Sequence, residues 1–381
     1  MSALLPSPSA DHASCAGSAP DPLSPEGRAR FSAVIDVRSP SEFAEDHMPG
    51  AINLPVLDDA ERARVGAHYV QVSKFEARKI GAALVARNIA RHLEGPLADR
   101  PADFAPLVYC WRGGQRSGSM ASVLKQIGWR AETVAGGYKA YRRRVLEALH
   151  ERAPWFRVVI LDGNTGSAKT EILGRLRARG VQTIDLEDLA AHRGSVFGGL
   201  PDRSQPGQKM FESRLLDAIE RLDPARPVVV EAESSKIGAC HTPPVLWNAM
   251  AVAPRIALEV SAAARARYLV SAYPELIEDP ERRDERLDRL IPLHGHERVA
   301  EWRALAEAGA HLRLAAALIE RHYDPAYQRS RRKRDRPTAA TVRLAGLSAE
   351  DQERAADAIV AALEGALEGA LEGAAGESAT S

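Results

Sequence analysis

Apolar and polar positions follow two rhythms along this chain. Short apolar runs bounded by polar or turn residues stand at AVIDV (33–37), PLVYC (106–110) and AETVAG (131–136), and each predicts a strand. Between them the spacing changes. In KFEARKIGAALVARNIARHL (74–93), Ile80 and Leu84, then Val85, Ile89 and Leu93, recur at helical intervals, and SMASVLKQIGW (119–129) predicts a second helix. The same alternation resumes at FRVVILDG (156–163), VQTIDL (181–186), PVVVEAE (227–233) and RIALEV (255–260), with helical segments between. Residues 262–322 predict mostly helix. TVRLAG and SAEDQERAADAIVAAL then predict a last strand and helix, with Ser348 and Asp351 at capping-box spacing. Strands alternating with helices predict parallel sheets, so the fold class is α/β.

Length and composition set the organisation. A chain of 381 residues accommodates two or three domains. Residues 1–29, rich in Ser, Pro and Ala and without periodicity, are expected to be a disordered tail. A first domain is expected over 30–150 and a second over 151–345, with a helical extension and a basic segment. A C-terminal helix and low-complexity tail fill 346–381. The repeated ALEG at 362–373 places a glycine in each turn of that tail and predicts fraying.

Lys and Arg total 51, as do Asp and Glu, so overall charge points to no polyanionic partner and any nucleic-acid surface must be a local patch. The three cysteines, Cys15, Cys110 and Cys240, form neither a disulfide framework nor a metal cluster, and no metal site is expected. A reducing cytoplasm fits this usage. The first 27 residues lack Lys, Arg and an apolar stretch, and no run approaches a membrane span, so neither a signal peptide nor a membrane association is expected.

The chemistry begins at YCWRGGQRSGS (109–119). A lone cysteine ends a strand and precedes two glycines and a helix. A thiolate is the reactive form of cysteine, and it needs fixed positive potential nearby. Glycines let successive N–H groups turn inward as an anion-binding nest, the helix start adds partial positive charge, and Arg112 and Arg116 offer more. The competing reading is a buried, inert cysteine at a strand end. Three blocks, VIDVRSPSEFAEDHMPGAINLP (34–55), CWRGGQRS (110–117) and GGYKAYRR (136–143), together resemble a rhodanese domain. The resemblance implies that Cys110 carries a chalcogen or acts as a nucleophile. It also implies that the loop of Trp111, Arg112, Gly113, Gly114, Gln115 and Arg116 cradles it, with structural roles for Asp36, Arg38, Glu42 and His47.

The second constellation is ILDGNTGSAKTEIL (160–173), between a strand and a helix. Gly163, Asn164, Thr165, Gly166, Ser167, Ala168, Lys169 and Thr170 have P-loop spacing, except that Ala168 stands where a glycine is usual. Such a loop wraps a diphosphate in backbone N–H groups, with the lysine neutralising it and the Ser/Thr hydroxyl available to Mg²⁺. If position 168 needs positive φ, alanine is strained there. VVVEAES (228–234) offers Glu231 or Glu233 as a second acidic group, against the reading of an exposed strand end. DLEDLAAHRGSVFG (185–198) contributes Asp185, Asp188, His192 and Arg193, and no role is assigned to His192. YQRSRRKRDR (327–336) concentrates Arg329, Arg331, Arg332, Lys333, Arg334 and Arg336, a run suited to phosphate backbone or simply a solvated loop. Tyr323 and Tyr327 precede it as stacking candidates.

A rhodanese-like domain followed by a P-loop domain, together with VVVEAESSKIG and HYDPAY, resembles the tRNA 2-selenouridine synthase family over about residues 31–345. That resemblance implies geranylation of a wobble 2-thiouridine by geranyl diphosphate, held at the P-loop. Replacement of the geranylthio group by selenium from selenophosphate would follow, with Cys110 serving the selenium step. It implies tRNA and small-molecule phosphate donors as partners and no tightly bound cofactor, and it leaves the oligomeric state open. Two other readings compete. One is a persulfide sulfurtransferase fused to an ATP-dependent kinase-like domain. The other is a non-catalytic tRNA- or nucleotide-binding regulator.

Overall fold

A computed structural model describes residues 20–194, 198–200, 202–232, 234–332 and 336–378. The chain forms two compact units. One comprises Met1–Trp155 with Pro206–Arg221, the other Phe156–Gln205 with Leu222–Ser381.

The first unit is built on a parallel sheet of β1 (Ala33–Asp36), β2 (Ala51–Asn53), β3 (Pro106–Tyr109) and β4 (Glu132–Thr133), in the order β2-β1-β3-β4. Helix Lys74–Glu94 starts where the Ser73 hydroxyl accepts from the N–H groups of Phe75 and Glu76. It buries Ile89, with Val85 and Leu93 packed beside it, against the core of Ile35, Val37, Val108, Met120 and Leu124. Helix Gln115–Ile127 ends at Gly128, whose φ of 108° terminates it.

Two sequence expectations change here. The expected disordered tail extends through residue 29, but Pro25–Arg28 forms a helical turn capped by Ser24, and buried Arg28 pairs with Asp217. The rest of the expected tail, including Cys15, lies outside the described residues. Residues 206–221, expected inside the second domain, pack with the first unit. Helix Gln208–Glu220 meets it through Arg142–Glu212, Arg144–Glu220 and Lys209–Glu45 ion pairs. These partners are far apart in sequence, and charge pattern alone does not reveal them.

The second unit holds β5 (Val158–Asp162), β6 (Gln182–Ile184), β7 (Val228–Glu231), a small antiparallel hairpin of β8 (Lys236–Ile237) and β9 (Cys240–His241), β10 (Arg255–Val260) and β11 (Thr338–Leu344). The main sheet is parallel in the order β11-β10-β5-β7-β6. Leu161, Val229, Ile256 and Val342 from this sheet pack with Ile172, Leu173, Leu176 and Ile359 from flanking helices. A helical subdomain follows β10, with its own core of Leu287, Leu290, Val299, Trp302, Leu314 and Leu318. The last helix, Ala349–Ser378, begins at the expected capping box. Ser348 N–H donates to Asp351 Oδ2 at 3.0 Å, and Asp351 N–H donates to Ser348 Oγ at 3.2 Å. That helix spans the ALEG repeats, where three strong helix formers accompany each glycine. No helix among the described residues is long and apolar enough to cross a membrane.

Candidate functional sites

In the first unit, Cys110 follows the end of β3 and is 3% exposed. Its sulfur nevertheless sits among donors. The Ser117 hydroxyl donates to Cys110 Sγ at 3.2 Å, and the backbone N–H groups of Ser117, Gly114 and Arg112 point at the same atom. Burial is the largest influence on this thiol and opposes ionisation. The four donors outweigh it and hold the thiol below its ordinary value. Arg112 therefore acts here through its backbone, its side chain being exposed. Arg116 does not contribute free charge as expected. Its guanidinium pairs with Glu42 at 2.9 Å. Trp111 packs 5.2 Å from the Tyr138 ring, while Gly113, Gly114 and Gln115 are exposed at the helix start. Ser117, one residue beyond the expected cradle, is the member that sequence reasoning missed. It stood within the quoted motif, where a hydroxyl one turn into a helix is the available signal.

The third block explains the loop's shape. A Cβ on Gly137 would lie 2.3 Å from the Cys110 carbonyl oxygen, and one on Gly113 would lie 2.6 Å from that of Val134. With both glycines at positive φ, Tyr138 N–H reaches Cys110 O and Lys139 N–H reaches Trp111 O, each at 2.9 Å. The first block buries an ion pair beside this seam. Arg38 binds Asp36 at 2.6 Å, donates to Asp46 O at 2.7 Å and stacks 3.9 Å over Tyr138. His47 stacks on Phe43 at 3.8 Å and contacts its carbonyl oxygen, so it serves the turn.

In the second unit, residues 163–168 connect β5 to helix Lys169–Ala178, and Thr165 to Thr170 line a cleft of about 560 Å³ at the carboxyl ends of the strands. Gly166 has φ 82°, and Ala168 adopts φ 56°, ψ 35°. The left-handed conformation at 168 is thus real, and an alanine carries it. Lys169 Nζ donates to Gly163 O at 2.9 Å, folding the ammonium over the loop. The Ser167 hydroxyl, 1% exposed, has no hydrogen-bond partner among the described residues. A buried hydroxyl without a partner in a loop of this spacing is available to donate to a phosphate oxygen.

Glu231, at the end of β7, is 2% exposed and accepts from Glu187 N–H at 2.9 Å; it is not a solvated strand end. Glu233 lies outside the described residues. Thr170 Oγ1 donates to Glu187 Oε2 at 3.1 Å, and Asp162 pairs with Arg255 and Tyr327. His192 lines the cleft, takes Gly194 N–H at 3.1 Å on Nδ1, and is held below the ordinary histidine value by burial and by Arg286 and Arg289. Among the described residues no three His, Cys, Asp or Glu side chains are grouped to cage a metal ion. Asp185 caps helix Leu186–Leu189, and Asp188 pairs with Arg203.

A network absent from the sequence reading shapes the loop. Arg265, buried in helix Ala262–Ala272, binds Asp324 through both guanidinium nitrogens at 2.9 and 2.7 Å and donates to Thr165 O at 3.2 Å. Asp324 also accepts from Asn164 Nδ2 at 2.9 Å. The π-helical turn Ile319–Tyr323 carries His322 and Tyr323 to the cleft wall. The basic run divides. Arg329 is exposed on helix Asp324–Arg332, which also includes Arg331 and Arg332. Lys333 and Arg334 lie outside the described residues, and Arg336 lines the cleft, as Lys169 and Tyr327 do.

Against known proteins, residues 156–286 match the family model described as the tRNA 2-selenouridine synthase AAA domain, and residues 23–144 match the rhodanese-like domain. A curated relative from Cupriavidus pinatubonensis, named tRNA 2-selenouridine synthase, is 32% identical over 340 residues, covering 79% of this chain and 89% of its own. One of the same name from Bordetella petrii is 34% identical, covering 78% and 87%. A third, from Pseudomonas syringae pv. syringae, is 37% identical over 243 residues, or 63% of this chain and 65% of that relative's length.

Proposed function

The chain belongs to the tRNA 2-selenouridine synthase family, and from that premise we propose that it converts 2-thiouridine in tRNA to 2-selenouridine in two steps. In the first, the thiocarbonyl sulfur attacks C1 of geranyl diphosphate. The carbon–oxygen bond breaks, diphosphate leaves with the electron pair, and the base loses its N3 proton. Loop 163–170 holds the diphosphate, with Lys169 and the Ser167 hydroxyl on its oxygens. Mg²⁺ would be held by Thr170 and the donor's own phosphates, supplying charge neutralisation of the leaving group. In the second step, the selenium of selenophosphate adds to C2 and the geranylthio group departs as a thiolate; water then takes the phosphoryl group, so that the Se–P bond breaks, phosphate leaves and selenium stays on C2. Alkylation makes that sulfur a leaving group. Cys110 serves this step from its cradle, and Arg329 with its basic neighbours contacts tRNA phosphates.

What carries the reading is the pairing, on one chain, of a donor-ringed thiol with a phosphate loop whose buried Ser167 hydroxyl has no partner among the described residues. Nucleoside mass spectrometry of tRNA from cells complemented with variants tests it. Cys110→Ala should lose selenouridine and accumulate the geranylated nucleoside, and Lys169→Ala should lose both. Unchanged selenouridine in Cys110→Ala would refute the assigned thiol role.

A further inference from the structure

The first step of the proposed reaction releases a proton from N3 of the base, and most proton acceptors in the cleft are already engaged. Glu231 accepts from Glu187 N–H, Glu187 from the Thr170 hydroxyl, and Glu171 from the Tyr268 hydroxyl. Asp162 pairs with Arg255, and Asp188 with Arg203. His192 accepts Gly194 N–H on Nδ1, so its own proton sits on Nε2 and it offers a donor. His322 differs. It lines the same cleft, is 9% exposed, and places Nδ1 3.0 Å from His294 Nε2. Its Nε2 has no hydrogen-bond partner among the described residues. Both histidines stand where helical geometry breaks. His322 lies in the π-helical turn Ile319–Tyr323, and His294 precedes Gly295, which interrupts helix Ile291–Glu307 at φ 81°. Single π-helical turns recur at functional sites. Two residues beyond His322, Asp324 is tied to Asn164 and Arg265, which pins the turn to the phosphate loop.

We infer that His322 is the catalytic base that takes the N3 proton during prenyl transfer, and that His294 is a positioning residue that sets its tautomer. The inference rests on the proposed reading of the cleft. When His294 Nε2 accepts from His322 Nδ1–H, the lone pair of His322 is on Nε2, the nitrogen left for the substrate. As the thiocarbonyl sulfur bonds to C1, the N3–H bond breaks toward His322 Nε2. Its electron pair becomes the second bond between N3 and C2, and the C2–S π pair returns to sulfur. Diphosphate leaves C1 with the C–O pair, and the imidazolium later yields its proton to water. The proton is acidic because the alkylated ring would otherwise carry a positive charge, so a weak base suffices. Burial, His294 and Arg329 hold His322 down to about 4, which keeps it neutral and able to accept. Burial, Arg298 and Arg329 also hold His294 below the ordinary histidine value. Tyr323 stacks edge-on at 4.8 Å from the His322 ring. Of the other elements packed on the turn, helix His311–Leu318 meets it with Ala315, and Arg265 of helix Ala262–Ala272 is engaged by Asp324.

Single-turnover geranyl transfer to 2-thiouridine-containing tRNA by the full chain, followed from acid to alkaline pH, tests this. Binding of inorganic diphosphate, measured alongside, shows that each variant is folded. The wild-type rate should stay level toward acid, since the base remains unprotonated until about pH 4. His322→Ala should lose about a hundredfold near neutrality and then climb with pH, because solvent must take the proton, while diphosphate affinity stays within about twofold. Added imidazole should restore part of that loss. His294→Phe should lose about tenfold, and His294→Gln, which retains an acceptor for Nδ1–H, should recover most of it. If His322→Ala keeps the wild-type rate and pH profile, the inference falls while the phosphate cradle stands. If His322→Ala loses diphosphate binding, His294→Phe decides, and a wild-type rate in that variant overturns the inference. If the wild-type protein transfers no geranyl group, the reading of the cleft falls and takes the inference with it.

Discussion

At Cys110 two influences oppose each other, burial and hydrogen-bond donation, and donation wins. The thiolate is the form these donors favour, so its population should rise at lower pH than in a free thiol, whose pKa is ~8.5. Measured as the pH dependence of iodoacetamide labelling of the Cys110 peptide, the midpoint should fall below that value. Ser117→Ala removes the hydroxyl donor and should move the midpoint upward. A midpoint unmoved by Ser117→Ala would remove that hydroxyl from the cradle. Ala168 poses a different question at the same scale. A non-glycine residue in the left-handed region costs roughly 1–2 kcal/mol, and Ala168 sits there at φ 56°. Ala168→Gly should relieve that strain, although the unfolded chain gains freedom in return. The net expectation is about 1 kcal/mol of added stability in urea unfolding. A loss of stability would show that the alanine methyl contributes packing worth more than the strain.

The elements carry the sites because distant segments hold them in shape. The 163–170 loop is braced by helix Ala262–Ala272 through Arg265 and by helix Asp324–Arg332 through Asp324. Asp324→Asn would leave Arg265, buried and cationic, with a neutral partner. Breaking a buried pair by removing one charge costs about 3–5 kcal/mol, and here some of that cost falls on the loop. Inorganic diphosphate affinity should weaken by about tenfold, while the secondary structure measured by circular dichroism persists. Unchanged affinity would make the clamp a support for the helical subdomain alone. In the first unit the Gly136–Gly137 turn does the comparable work, bringing the start of helix Gly137–Leu146 against the cysteine loop at 2.9 Å contacts.

For the whole molecule, what could be read in advance follows the range of the interactions. β10 stands at the residues its apolar run marked, Arg255–Val260, because a buried parallel strand is written as a continuous local run. The cysteine loop and phosphate loop were visible for the same reason, each being a contiguous segment. Ser117 was overlooked although it lay in the motif. Arg265 was invisible because its partner Asp324 is 59 residues away. Helix Gln208–Glu220 falls within the 156–286 family match yet packs with the first unit, and its Glu212, Asp217 and Glu220 look like ordinary surface acids until Arg142, Arg28 and Arg144 are found opposite them. The basic run had no periodicity to reveal that Arg336 turns into the cleft while Arg329 faces solvent.

The most direct measurement is mass spectrometry of nucleosides from 2-thiouridine-containing tRNA incubated with the purified full chain and geranyl diphosphate, with and without selenophosphate. Without selenophosphate the S-geranylated nucleoside should accumulate, and with it 2-selenouridine should replace that species. Recovery of unmodified 2-thiouridine under both conditions, with protein that binds tRNA and diphosphate, would contradict the proposed reaction.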